Sequence, residues 1–381
     1  MKSSLTLITV IQTIYKFIMN SVAFYWAIYF ASIGLSGSQI GLLFAVVTIT
    51  GLFVTLPTGL SNDRMTSKRI IQIGLMLLII EMALLSQTQH FPFILILFFI
   101  GGLGGNLHGI SIDSLFYKTS GEESPTHRIK TYVSYSLLGA GLGAIFSGNL
   151  LGYMDFQKYL IVICGMLVTL LILSTFLPNT ETWKFDTKTY GKDICRPHVL
   201  LFMAIIFSFA IHMGSEFTSY GPFLKEVLGL SFPQMGLYIG SAIVFMFISV
   251  RIANRMIENG VKMRKIVTIG LLMSAVGYLV MLYPLVAISF IGRAVHEAGD
   301  AFMFVFLYTG VSQFFKKERI GGNSGLITLT QTSAMALSSF VFGPLGEAYG
   351  HQIPIIIGAI TTLLAIILLK AYEHYINRYE G

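Results

Sequence analysis

Charge is scarce in this chain. Of its 381 residues only 11% are charged and 54% are hydrophobic, where an ordinary soluble domain is roughly a quarter charged. That balance excludes a soluble globular protein. The apolar residues fall in blocks along the whole length, so a soluble enzyme on one anchor is excluded too. Cysteine is scarcer still. Cys164 stands in an apolar run and Cys195 in a charged segment, on no motif, which argues against a disulfide framework and against a metal centre. Metal-ligand spacing is absent from the sequence, so no metal is expected. There is no G-x-x-x-x-G-K-[ST] segment, which excludes direct use of ATP. No nucleophile is paired with a base, so an enzyme is not expected.

What is present is a series of apolar blocks. They run approximately 7–31, 40–60, 70–88, 92–116, 131–152 and 159–178, then 199–222, 233–250, 266–284, 286–313, 322–345 and 353–371. At about 20 residues per spanning helix, twelve crossings use about 240 residues and leave only short loops. The expected fold is therefore an all-α membrane protein of twelve transmembrane helices. The first block carries Lys16 and Asn20, where a cleaved signal peptide needs an unbroken apolar core, so it is read as a retained span.

The net charge of +7 is a matter of placement. All of the basic residues except Lys16, Lys158, Lys225 and Arg293 fall in loops and tails of one side. By the positive-inside rule both termini are cytoplasmic, in a multi-pass protein of the cell membrane. The basic excess then meets anionic lipid headgroups, and no nucleic-acid partner is expected.

The chain also repeats itself. Ile33-Gly34-Leu35-Ser36-Gly37-Ser38-Gln39-Ile40-Gly41-Leu42 returns as Leu228-Gly229-Leu230-Ser231-Phe232-Pro233-Gln234-Met235-Gly236-Leu237. Asn62-Asp63-Arg64-Met65 is echoed by Ala253-Asn254-Arg255-Met256, and Phe99-Ile100-Gly101 by Phe290-Ile291-Gly292. Three matches in one order at nearly constant offset imply two parallel six-helix pseudo-repeats. The halves are read as 1–178 and 199–381, joined by a cytoplasmic connector at 179–198. Parallel halves are a transporter architecture, with the substrate site between them near the midplane.

This topology, the repeat and the loop Gly59-Leu60-Ser61-Asn62-Asp63-Arg64-Met65-Thr66-Ser67-Lys68-Arg69 together resemble the major facilitator superfamily, over essentially the whole chain. The loop departs from the family motif at Thr66, where Gly is usual, and at Ser67, where a basic residue is usual. The resemblance implies that the first, fourth, seventh and tenth helices line a central cavity. It also implies that the third is peripheral, which makes Glu81 structural; His108, on the fourth, is read as structural too. The glycine-rich fifth block lacks the Gly-Pro of many drug/proton antiporters.

Ionisable side chains at bilayer depth cost about 2.5–3.5 kcal/mol even on insertion scales, so each asks for a reason. Seven charged ones occur, Lys16, Glu81, Asp113, Glu216, Arg293, Glu297 and Asp300, with His108, His212 and His296 beside them. Arg293, His296, Glu297 and Asp300 share one helix face by i, i+3, i+4 and i+7 spacing. His212 and Glu216 share another, as do Gln12, Lys16 and Asn20, while the fourth helix offers Asn106. A low dielectric favours the protonated carboxyl, so Glu216, Glu297 and Asp300 are read as proton-coupling residues with His212 and His296 as relays. The bland alternative pairs Arg293 with Glu297 and His296 with Asp300 as static ion pairs. Gln12, Lys16, Asn20, Asn106 and Arg293 are read as the substrate cavity.

The remaining reading concerns a gate. Gly59 and Asp63 face the start of the eleventh block, whose helix N-terminus attracts a carboxylate. Arg64 or Arg69 is expected to pair with Asp113. Together these residues form a cytoplasmic latch, asymmetric because the second half has Asn254 at the matching place. The function expected is a secondary transporter, monomeric, moving a small-molecule substrate by alternating access on a proton gradient without a cofactor, with a lean to export. Lipid flipping and proton-coupled nutrient uptake stay open as alternatives on the same fold.

Overall fold

The computed structural model describes residues 2–119, 124–179 and 188–379. Lys184 and Asp186 of the expected connector lie outside them. The elements are α1 (Lys2–Ala23), α2 (Trp26–Ser32), α3 (Gly37–Arg64), α4 (Ser67–Leu85), α5 (Phe91–Lys118), α6 (Pro125–Leu150) and α7 (Phe156–Ser174). A short α8 (Lys188–Ile194) precedes α9 (Pro197–Ser215), which runs into π-helical turns at Glu216–Tyr220 and Phe223–Val227. Then follow α10 (Phe232–Glu258), α11 (Met263–Val280), α12 (Val286–Phe314), α13 (Ile320–Tyr349) and α14 (Gln352–Tyr379). Counting α1 with α2 and α9 with its π turns as single spans gives the twelve expected crossings. Nine spans among the described residues are long and apolar enough to cross a membrane by composition. The other three, α4, α6 and α12, are long enough but carry more charge, or more glycine and hydroxyl, than a plainly apolar span.

The repeat is visible in local geometry. Gly34 and Gly229 both take a positive φ, 87° and 67°, which a side chain would resist. Each turn delivers the chain to a serine N-cap, where Gln39 Oε1 accepts from Ser36 N–H and Gln234 Oε1 accepts from Ser231 N–H, both at 2.9 Å. These are the returning arms of a capping box, satisfying donors that a helix start leaves open.

The halves meet along two long interfaces, α3 on α13 and α6 on α10. Both depend on glycine, as membrane helix contacts do. A Cβ on Gly41 would stand 3.4 Å from the Gly343 Cα, and one on Gly148 would stand 2.6 Å from the Gly236 Cα. Gly41 and Gly236 occupy matching places in the repeat, and Gly148 and Gly343 are separated by the same offset, so the two contacts are symmetry mates. Both interfaces are tied near the face that carries the termini and near the opposite one. Near the termini Gly322 meets Asp63 and Lys130 meets Glu258. On the opposite face Gly37 N–H donates to Glu347, and Gly148 packs on Gly236.

Candidate functional site

A buried polar cluster sits inside the second half, between α9, α11 and α12. The backbones of α11 and α12 approach closely because Gly277 and Gly299 have no side chain: a Cβ at either would collide with the His296 or Ser274 nitrogen. That approach brings the Ser274 carbonyl to 2.9 Å from His296 Nδ1, while the Phe209 carbonyl accepts from His212 Nδ1. Both rings thus present Nε2 to the carboxylates. His212 Nε2 is 3.1 Å from Asp300 Oδ2, and His296 Nε2 is 3.6 Å from Asp300 Oδ2 and 3.4 Å from Glu216 Oε1.

Arg293 closes the other side. It pairs with Glu216 across the helices and with Glu297 on its own helix, and its guanidinium lies 4.1 Å from the Tyr220 ring centre. Tyr278 stacks on His296 at 4.2 Å and meets Ser215 Oγ at 2.8 Å. The Arg293–Glu297 pair of the static reading is therefore present, but only as one edge of a larger network spanning α9 and α12. A buried ion pair costs desolvation unless its remaining groups are also satisfied. Here each imidazole and Arg293 has a partner on a second helix.

The first half holds a cavity of about 340 Å³. Lys16 and Asn20 from α1, Asn106 from α5 and Glu81 from α4 supply its polar wall, and Trp26, Phe44 and Phe98 line the apolar part. Phe217, from the first π turn, lines it from the second half and stacks on Phe44 at 5.7 Å. Arg293 does not line this cavity. At 1% exposure it is sequestered by its two glutamates, because its face of α12 turns toward α9. Gln12 also lies outside the lining, buried beside it with Oε1 unpartnered among the described residues. Glu81, expected to be structural, is part of the wall; Gly101 makes room for it, since a Cβ there would collide with its carboxyl. His108 is fully buried and stacks on Tyr15 at 3.7 Å.

At the face carrying the termini, Asp63 accepts from the Gly322 N–H at 2.8 Å and pairs with Lys118 at 2.8 Å. The N–H belongs to the first turn of α13, where no intrahelical acceptor exists. Gly59 and Gly321 permit the approach: a Cβ on Gly59 would meet the Gly321 carbonyl at 2.7 Å, and one on Gly321 would meet Asp63 Oδ1 at 2.5 Å. The expected pairing of Arg64 or Arg69 with Asp113 does not form among the described residues. Both arginines are exposed. Asp113, further into the helix from its Lys118 end, accepts instead from Tyr132 at 2.7 Å and Tyr308 at 3.3 Å. Asn254 bonds its own helix at Val250 and, among the described residues, latches nothing.

Two parts of this face were not legible in the sequence. Lys118 looked like a topology marker, yet it is 5% exposed and donates to Asn62 O at 2.6 Å as well as pairing with Asp63. Asp193 on α8 accepts from Arg319 at 2.7 and 3.1 Å, from Asn323 at 3.1 Å and from Arg196 at 2.9 Å. The first turn of α13 is thus gripped by Asp63 on one side and Asp193 on the other. The signal available for Asp193 was a lone acid among the basic residues that flank it.

The family model described as Major Facilitator Superfamily matches residues 6–331. No curated protein matches the sequence. Among solved structures, a bacterial homologue of the human lysosomal transporter Spinster, inward-facing and occupied, superposes with a TM-score of 0.75 at 13% identity, over 98% of this chain and 97% of that one. The nucleoside transporter NupG, as a single-residue mutant, gives 0.74 at 12% over 97% and 99%, and the human organic anion transporter MFSD10 gives 0.72 at 14% over 97% and 99%. These likenesses show the fold, and the model match covers most of the chain. This multi-pass membrane protein, with its two six-helix repeats and its Asp63 motif loop, belongs to the Major Facilitator Superfamily.

Proposed function

We propose that the protein is a proton-coupled secondary transporter that moves a small organic solute by alternating access. The observation that carries this reading is a single turn of backbone. Glu216 and Phe217 are consecutive on the π turn that follows α9, and π turns concentrate at functional sites. Glu216 enters the charged cluster while Phe217 closes the solute cavity. Proton arrival at Glu216, Glu297 or Asp300, relayed by His212 and His296, changes the pull of Arg293 on Glu216. The same turn then moves the cavity wall. The cavity sets Lys16 and Glu81 against aromatic side chains, which suits an amphipathic solute with a polar head. The named neighbours carry chemically different solutes, so the fold does not choose among them.

We place the protein in the plasma membrane as a monomer with cytoplasmic termini, on the basic-residue distribution, and read the direction as export. Asp63 then latches the cytoplasmic side. A lipid-handling role is the second reading, favoured by a cleft of about 430 Å³ between α1 and α6, lined by Leu5, Thr9, Val10, Thr13 and Tyr135 among others.

The test is a ligand-stabilisation screen at two pH values, followed by transport of each hit into proteoliposomes under an imposed pH gradient. Gradient-driven movement that is lost in Glu297→Gln or Asp300→Asn supports the reading. Transport of every hit that ignores the gradient removes proton coupling. Phe217→Ala should leave proton uptake intact and uncouple it from solute movement.

A further inference from the structure

The charged cluster brings two imidazoles and two carboxylates together at distances that suit a shared cation. The Phe209 and Ser274 carbonyl oxygens can only accept, so Nδ1 carries the hydrogen in both His212 and His296. Each Nε2 faces carboxylate oxygens 3.1–3.6 Å away: a protonated ring donates to them, and a neutral ring directs a lone pair at them. With the rings neutral, lone pairs and carboxylates repel unless a cation lies between them. In the neutral-ring state three carboxylates, Glu216, Glu297 and Asp300, stand against one guanidinium, two negative charges in excess; protons on both rings or one divalent ion would balance them. Asp300 Oδ1 is buried with no partner among the described residues.

We propose that His212, Glu216, His296 and Asp300 form a binding site for one divalent transition-metal ion of the zinc class. The ligand set is two imidazole nitrogens and two carboxylate oxygens, a donor mixture that suits Zn²⁺ and its neighbours and does not suit Ca²⁺ or Mg²⁺. Atoms bound tetrahedrally at about 2.0–2.1 Å from zinc lie roughly 3.3–3.4 Å from one another. The three imidazole–carboxylate spacings of 3.1, 3.4 and 3.6 Å here bracket that value. One ligand atom each from His212, Glu216 and His296 already lies within 4.8 Å of the others.

The spacing also explains why the sequence did not disclose the site. His212 and Glu216 are an i, i+4 pair on one span, His296 and Asp300 an i, i+4 pair on another, and each pair alone is a common helix-face coincidence. Only the α9–α12 contact makes four ligands of them. The surroundings are those of a held site. Each imidazole donates its other nitrogen to a backbone carbonyl, which fixes tautomer and ring orientation as the outer partners of metal ligands do. Tyr278 stacks on His296, and Arg293 pairs with the same Glu216 oxygen that faces His296. One divalent ion matches the excess charge. The inference does not require the proton to be the coupling ion, since it rests on donor geometry and on the charge of the neutral-ring state.

The experiment uses tag-free, chelator-treated full-length protein in nanodiscs, titrated calorimetrically with Zn²⁺ alone. One saturable site per chain is expected. His212→Gln and Glu216→Gln should weaken it by at least the roughly 10- to 100-fold that even changes behind the ligands cost, while replacing the exposed His90 should not. X-ray absorption at the zinc edge of the wild-type complex supplies a readout independent of the variants' folding, and it should report two imidazoles in the shell. The absence of saturable binding in folded wild-type protein at millimolar Zn²⁺ overturns the proposal. So does a zinc shell without two imidazoles, or affinity unchanged in both folded variants. Gradient-driven transport is measured separately on the chelator-treated protein, so failure of proton coupling and failure of the metal site are read in different experiments.

Discussion

Asp63 and Gly322, 259 residues apart in sequence, are joined by a 2.8 Å hydrogen bond from the backbone N–H of the first turn of α13 to a fully buried carboxylate. The bond links α3 of one repeat to α13 of the other, with Lys118 neutralising the carboxylate from α5. Asp63→Asn keeps the shape but removes a charge partner from the buried Lys118, a change of the kind that costs about 3–5 kcal/mol in buried pairs. The expected result is lower transport and a population shifted toward opening at this face. A cysteine replacing the buried Thr55, in a background where Cys164 and Cys195 are serine, should then label faster from that side. Unchanged labelling would show that Asp63 does not hold the gate.

Glycine contacts at the two faces predict opposite wedges. Gly148→Val places carbon 2.6 Å from the Gly236 Cα and should hold the face opposite the termini open, whereas Gly321→Val, whose Cβ meets Asp63 at 2.5 Å, should hold the termini face open. Pulsed electron-spin distances across each face should lengthen in one variant and not in the other. Identical distance distributions in the two variants would show that these contacts do not gate.

Arg293 carries two glutamates, so its loss is predicted to be worse than the loss of one partner. Arg293→Met strands Glu216 and Glu297 and should lower stability by about 3–5 kcal/mol. Adding Glu297→Gln should recover part of that. A thermal-unfolding double-mutant cycle measures the coupling, and simple additivity would contradict the network. Arg293→Lys should also be defective, because one ammonium cannot reproduce the fork that engages both carboxylates.

The Asp193 clamp predicts a pH dependence. Burial alone would raise the Asp193 carboxyl; the hydrogen bonds from Arg319 and Asn323, with the charges of Arg319 and Arg196, outweigh it and hold the carboxyl below its ordinary value. A carboxyl depressed in the folded state stabilises above its unfolded value, about 3.9, and that contribution is lost as pH falls through the folded value. Wild type should therefore melt above Asp193→Asn at neutral pH, and the gap should close on acidification. A gap that widens toward low pH would refute the assignment.

Much of the fold was legible because the bilayer leaves few choices. A backbone with no water to bond must form helices, so block length and basic-loop placement gave the span count, and Gly34 with Gly229 betrayed the repeat through a turn that only glycine makes easily. The site was legible in part. Helix spacing correctly grouped Arg293, His296, Glu297 and Asp300 on one face, because i, i+4 geometry is local. It placed Arg293 in the solute cavity and left Glu81 out of it, because which face of a helix meets which neighbour is not a local property. Arg64 and Lys118 illustrate the same limit at the loop. Both are basic residues near one surface, and only packing buries the second against Asp63 and leaves the first in the open.

The sequence by itself determined that this chain spans a membrane twelve times in two related halves, because scarcity of charge, periodic apolar length and an internal repeat are properties of order along the chain. Only the tertiary structure decided that His212 faces Asp300, that Phe217 and Glu216 divide one turn between cavity and cluster, and that Asp193 grips α13 opposite Asp63. Those relations depend on the close approach of helices far apart in sequence, set by glycines and shape, and on charges that acquire their meaning only from the partners they meet in a medium that cannot solvate them.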